Sequence, residues 1–190
     1  MSHRAYLAAL AAMGAALPAF AQVSRISEDI ASVTIDLNGR GIIIDRQGPA
    51  CPPACVQPMQ AAPGVATIGE LEVLDFLSGT VAAGGGLLVD ARLPDRFAEG
   101  TVPGAVNVPE ATLHPQNPYR DDLLAALGAQ RGNFAEAYDL VIFGEGANAT
   151  DAAQALRHLA EAGYPAEKLK YYRGGLTAWR ALGLTTAQAD

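Results

Sequence analysis

The most reactive side chains in this 190-residue chain are two thiols, Cys51 and Cys55, in the stretch Cys51-Pro52-Pro53-Ala54-Cys55. A cysteine pair at this spacing can close a structural disulfide, exchange it with another thiol, carry a sulfane sulfur, or hold a soft ion such as Cu(I). So short a loop removes little chain entropy when it closes, so a structural bond here would shape its own segment more than it stabilises the whole fold. The strain of a short loop favours exchange. Against exchange, the spacing is one residue longer than the Cys-x-x-Cys of dithiol oxidoreductases, and the pair opens no predicted helix. For a metal, Met59 is the nearest further soft ligand, and His114 and His158 stand far along the chain. No metal and no cofactor are therefore expected.

Charged side chains form a second set of candidates. Asp90 and Arg92 follow the apolar run Leu87-Leu88-Val89, and Arg173 precedes Gly174-Gly175. Together the three could surround an anion pocket, or Asp90 and Arg92 could pair with each other and Arg173 could lie exposed at a strand end. Thr150 lies in Gly144-Glu145-Gly146-Ala147-Asn148-Ala149-Thr150-Asp151. A threonine nucleophile needs an adjacent base, and no histidine lies near it in sequence; capping a helix that starts near Asp151 is its expected role.

The elements that must position these groups alternate in type. Short apolar runs occur at Leu87-Leu88-Val89, Ala105-Val106-Asn107-Val108, Leu140-Val141-Ile142-Phe143 and Leu169-Lys170-Tyr171-Tyr172, with helix-like stretches at 121–127, 151–162 and 176–182. Such alternation predicts a parallel sheet covered by helices on both faces, with chemistry in the loops at the carboxyl ends of the strands. Tyr171, Tyr172 and Trp179 are then expected in the core. Upstream, Thr67-Ile68-Gly69-Glu70 has capping-box spacing, and Ile68, Leu71, Leu74 and Leu77 predict one apolar helix face of about three turns. Further back, Ser32-Val33-Thr34-Ile35-Asp36-Leu37 and Gly41-Ile42-Ile43-Ile44-Asp45 flank Asn38-Gly39, which predicts a β-hairpin. Between Gln47 and Gly64 five prolines exclude regular structure and mark a strap.

The stretches Leu88-Val89-Asp90-Ala91-Arg92 and Phe97-Ala98-Glu99-Gly100-Thr101-Val102-Pro103-Gly104-Ala105-Val106-Asn107-Val108-Pro109, with Arg173-Gly174-Gly175-Leu176-Thr177-Ala178-Trp179, resemble the signature of rhodanese-like domains over roughly 67–184. The resemblance implies an α/β fold with a central parallel sheet of about five strands. It also implies a loop after Phe143 that in active members begins with a persulfide-forming cysteine and carries an arginine five residues later. Here those positions hold Gly144 and Ala149, and Glu145 adds negative charge. No catalytic residue is therefore expected in the degenerate loop from Gly144 through Thr150, and the sulfur-acceptor role, if kept at all, falls to Cys51 and Cys55. Thr101 stands where the family commonly has a structural histidine. The combination of export segment, Cys/Pro-rich strap and this module is similar to a group of secreted bacterial rhodanese-like proteins.

The first residues predict that export. Arg4 precedes an uncharged run from 5 to 16, and Leu17-Pro18-Ala19-Phe20-Ala21 ends in a small-x-small site. The run is shorter than a membrane span, so no stable membrane anchor is expected. The expected organisation is a signal peptide at 1–21, a hairpin and strap at 22–66, and an α/β domain at 67–190. Half of the residues are hydrophobic and 17% charged, a globular balance. With residues 1–21 removed the net charge is −8, which disfavours nucleic acid and anionic membranes as partners. A periplasmic protein or a small ligand is the expected partner class.

Overall fold

The computed structural model describes residues 31–48, 51, 55–130 and 132–188. The expected signal peptide and its boundary at Ala21 lie outside these residues.

The hairpin forms as the sequence predicts: β1 (Ser32–Leu37) pairs antiparallel with β2 (Arg40–Asp45). Asn38 and Gly39 both take positive φ, 55° and 77°, as a two-residue turn of this hand demands. The main sheet has five parallel strands in the order β3-β7-β6-β4-β5, where β3 is Ala66–Ile68, β4 Gly86–Asp90, β5 Ala105–Asn107, β6 Asp139–Phe143 and β7 Leu169–Tyr172.

The apolar runs are buried on both faces because their side chains alternate between two core layers. Val89, Leu140, Ile142 and Tyr171 point to one layer, where α5 (Asp151–Glu161) supplies Ala152, Ala155, Leu156 and Leu159. Leu88, Val141, Phe143 and Tyr172 point to the other, against α1 (Glu70–Phe76) and α6 (Gly175–Ala181), which contribute Val73, Phe76, Leu176 and Trp179. Short helices α2 (Pro94–Ala98), α3 (Glu110–Leu113) and α4 (Arg120–Ala126) complete the cover.

Two expectations about the start of the domain are corrected. Thr67 does not cap a helix. It lies in β3, paired with Tyr171 at the sheet edge, and its hydroxyl donates to the carbonyl of Met59. The cap falls two residues later, where the Gly69 N–H donates to the Glu72 carboxylate at 3.0 Å. Because Ile68 belongs to a strand, the helical phase starts afresh after it: Val73 and Phe76 are buried, while Leu71 and Leu74 are exposed. Strap residues Ala61, Ala62 and Val65 pack into the layer of α5, and β3 begins at Ala66, so the end of the strap is part of the α/β unit.

Candidate functional site

The loop after β6, at the carboxyl end of the central strand, is built by its neighbours. Gly175 opens α6 with φ +59° and lies so close to the carbonyl of Gly144 that a Cβ there would overlap it. Glycine is needed at this point for both reasons. The close approach lets the first turn of α6 donate backbone N–H groups into the loop, Leu176 to the Gly144 carbonyl at 3.0 Å and Thr177 to the Glu145 carbonyl at 2.9 Å. On the other side the strap closes in, with the Gln57 N–H donating to the Ala147 carbonyl at 2.9 Å.

Asp90 and Arg92 form a buried knot under this loop. The Arg92 guanidinium donates through Nε to Asp90 Oδ1 (2.9 Å), through Nη2 to Asp90 Oδ2 (2.7 Å) and to the Gly100 carbonyl (2.7 Å), and through Nη1 to Glu145 Oε2 (3.1 Å). Asp90 accepts in addition from the Thr101 hydroxyl at 2.7 Å. Burial opposes the charge on Arg92, but hydrogen bonds and the field of Asp90, then Glu145, outweigh it and raise its pKa. Four of its five N–H groups are engaged inside the protein, and Thr101 holds Asp90 in place.

Arg173 is neither exposed nor in the cavity. Its Nε and Nη2 donate to the carbonyl of the buried Gln57 at 3.0 and 2.8 Å, which ties β7 to the strap. Asp90, Arg92 and Arg173 thus do not come together as an anion pocket, because each cation meets a nearer acceptor first. Cys51 and Cys55 are joined in a disulfide, with Cys51 buried. The Cys55 carbonyl accepts from Gln57 Nε2 at 2.9 Å, so the cross-link stands next to the residue that docks on the loop.

A cavity of about 570 Å³ opens beside the loop. Glu145, Asn148, Ala149 and Thr150 line it, as does Asp151. Sequence reasoning missed Arg96 and Glu110 on its far wall, whose short helices α2 and α3 leave no readable periodicity. Its carboxylates, Glu110, Glu145 and Asp151, outnumber its one cation, Arg96, which is itself paired with Glu99 at 2.9 Å. Thr150 occupies the position before α5 but makes no side-chain cap bond; Asp151 takes that role, accepting from the Ala152 N–H at 2.8 Å. The expected capping role of Thr150 is thereby corrected. His158 Nε2 engages Glu110 at 3.0 Å and the His158 ring meets His114, so neither histidine serves Thr150 as a base.

Asp151, a site residue that the sequence does not point to, is half-buried at the end of the loop. Burial raises its pKa above the usual carboxylate value, and the amides of Ala152 and Glu145 only partly offset this. Among the described residues no group of three acidic, histidine or cysteine side chains is placed to hold a metal ion.

A family model described as Rhodanese-like domain matches residues 74–182. No curated protein matches the chain. Among solved structures it is similar to a Rhodopseudomonas palustris protein described as a possible tyrosine phosphatase, at 22% identity over 67% of this chain and 88% of that one, with TM-score 0.49. It is also similar to a Rhodanese_3 like domain from Anabaena sp. (24% identity, 54% of this chain and 98% of that one, TM-score 0.40). A rhodanese-related protein from Thermoplasma volcanium matches at 14% identity over 65% of this chain and 99% of that one, with TM-score 0.47.

Proposed function

The chain belongs to the rhodanese-like domain family, and from that premise we propose that it is a non-catalytic member, exported to the periplasm, that works as a binding or accessory module. The observation that carries this reading is the content of the loop after β6. Gly144 and Ala149 supply neither a thiol nor a guanidinium, and a carboxylate, Asp151, sits in the loop. A sulfur donor such as thiosulfate is an anion, and here it would meet an excess of carboxylates with Arg92 and Arg173 already engaged. Export is supported by the uncharged run behind Arg4, the small-x-small site ending at Ala21, and a disulfide of the kind that persists in oxidising compartments.

The test is the intact mass of the pre-reduced mature protein after exposure to thiosulfate, together with a thiosulfate:cyanide sulfurtransferase assay. The expected result is no added sulfur and no turnover. One sulfur atom gained and then removed by cyanide would overturn the reading. A second reading, in which Cys51 and Cys55 carry sulfur or exchange disulfides, is favoured by the docking of Gln57 on Ala147, which places the pair beside the loop. It requires that the added sulfur disappear in Cys51→Ala while the fold is retained.

A further inference from the structure

The loop from Gly144 to Ala152 has the form of an oxyanion cradle, and the cradle is already full. A Cβ built on Gly144 would overlap the Asp151 carboxylate, meeting Oδ1, Cγ and Oδ2 in turn. The carboxylate therefore occupies the volume that any side chain at the head of this loop would need. It is held there by amides that an external anion would use: the Ala152 N–H at 2.8 Å and the backbone N–H of Glu145.

Two further observations separate this from an ordinary helix cap. The loop does not depend on Asp151 for its shape, because the N–H groups of Leu176, Thr177 and Gln57 fix the carbonyls of Gly144, Glu145 and Ala147 from outside. The carboxylate also gains no cationic partner among the described residues. Its charged neighbours are Asp90 and Glu145, whose fields oppose its ionisation, so it stays although its surroundings repel its charge.

We propose that Asp151 is an intramolecular occupant of a latent oxyanion site, and that its carboxylate excludes tetrahedral anions of the phosphate, sulfate and thiosulfate class from the loop. This rests on the reading that the loop is not a sulfur acceptor and gives it a physical cause: the site lacks a nucleophile and is also plugged. Removing the plug frees the Glu145 and Ala152 amides and deletes a like charge at contact distance, which by itself is worth about tenfold or more in anion affinity.

The experiment titrates inorganic phosphate and, separately, thiosulfate into the mature wild-type protein, Asp151→Ala and Asp151→Asn, reading thermal shift and calorimetric binding. The wild type should not respond, and Asp151→Ala should bind either anion at least about tenfold more tightly. Asp151→Asn keeps the volume of the plug but not its charge, so it should gain distinctly less than the alanine variant; an asparagine variant that binds as tightly as the alanine one overturns the role assigned to the occupied volume. If the alanine variant does not fold, Asp151→Ser, which also empties the cradle, takes its place. A flat titration in the unplugged variant, or saturable binding by the wild type, overturns the proposal. A double-mutant cycle gives an independent reading. Gly144→Ala should lower the melting temperature of the wild type, where its Cβ must expel the carboxylate, and cost distinctly less in the Asp151→Ala background; equal costs in both overturn the assigned overlap. These outcomes stand apart from the sulfur-loading test, since the protein could fail to accept sulfur with its cradle plugged or open.

Discussion

Replacing Arg92 with methionine keeps much of the aliphatic stem and deletes the guanidinium. Asp90 is fully buried and Arg92 is 3% exposed. The variant leaves the Asp90 carboxylate with the Thr101 hydroxyl and the Arg92 N–H, at 2.7 and 3.1 Å, and no counter-charge. It also strips the Gly100 carbonyl of its guanidinium donor. Uncovering one partner of a buried ion pair costs about 3–5 kcal/mol. The bond to Glu145, 35% exposed, adds little to that. Against a typical total of about 5–15 kcal/mol, this is a large fraction of the stability of the fold. In urea, with a slope of about 2 kcal/mol/M, the midpoint should fall by roughly 1.5–2.5 M at unchanged slope. Asp90→Asn combined with Arg92→Met should recover part of the loss, because the stranded charge is gone. Arg92→Lys should fall between, since an ammonium cannot reproduce the two-pronged contact. A midpoint shift below about 0.5 M for Arg92→Met would refute the argument that this pair is a structural knot.

Asp151 has a folded-state pKa above its ordinary 3.8, so its favourable burial is complete below that pH and is lost as pH rises through the raised value. The melting temperature of Asp151→Asn relative to wild type should therefore increase from pH 4 to 7; a flat or falling difference would contradict the assigned cause. Gly175→Ala must adopt φ +59° and push against the Gly144 carbonyl, so a loss of more than about 2 kcal/mol is expected in denaturant titration, and a loss below about 0.5 kcal/mol would exclude the close approach. Reducing the Cys51–Cys55 disulfide opens a small loop and should cost at most about 2 kcal/mol, with the far-ultraviolet circular dichroism of the α/β unit unchanged. Loss of that signal on reduction would instead make the strap essential to folding.

What is local is legible in the residues alone. Short continuous apolar runs in strands buried on both faces, a turn that only Asn-Gly-like residues adopt, and a helix stripe such as 151–162 are properties of neighbouring residues, so the hairpin, four of the five sheet strands and the longest described helix could be read directly. The missing nucleophile was equally legible, because a glycine at position 144 is a matter of composition. Which partner each charged group meets depends on the folded arrangement. Arg92 reaches Glu145 across 53 positions and Arg173 reaches Gln57 across 116, distances over which spacing carries no information. The same is true of β3, a three-residue edge strand that forms because β7 offers it unpaired backbone groups, and whose formation resets the phase of α1. Asp151 reads as an ordinary first-turn acid in the sequence. It becomes the occupant of the loop because Gly144 leaves the volume open and α6, β6 and the strap fix the amides around it.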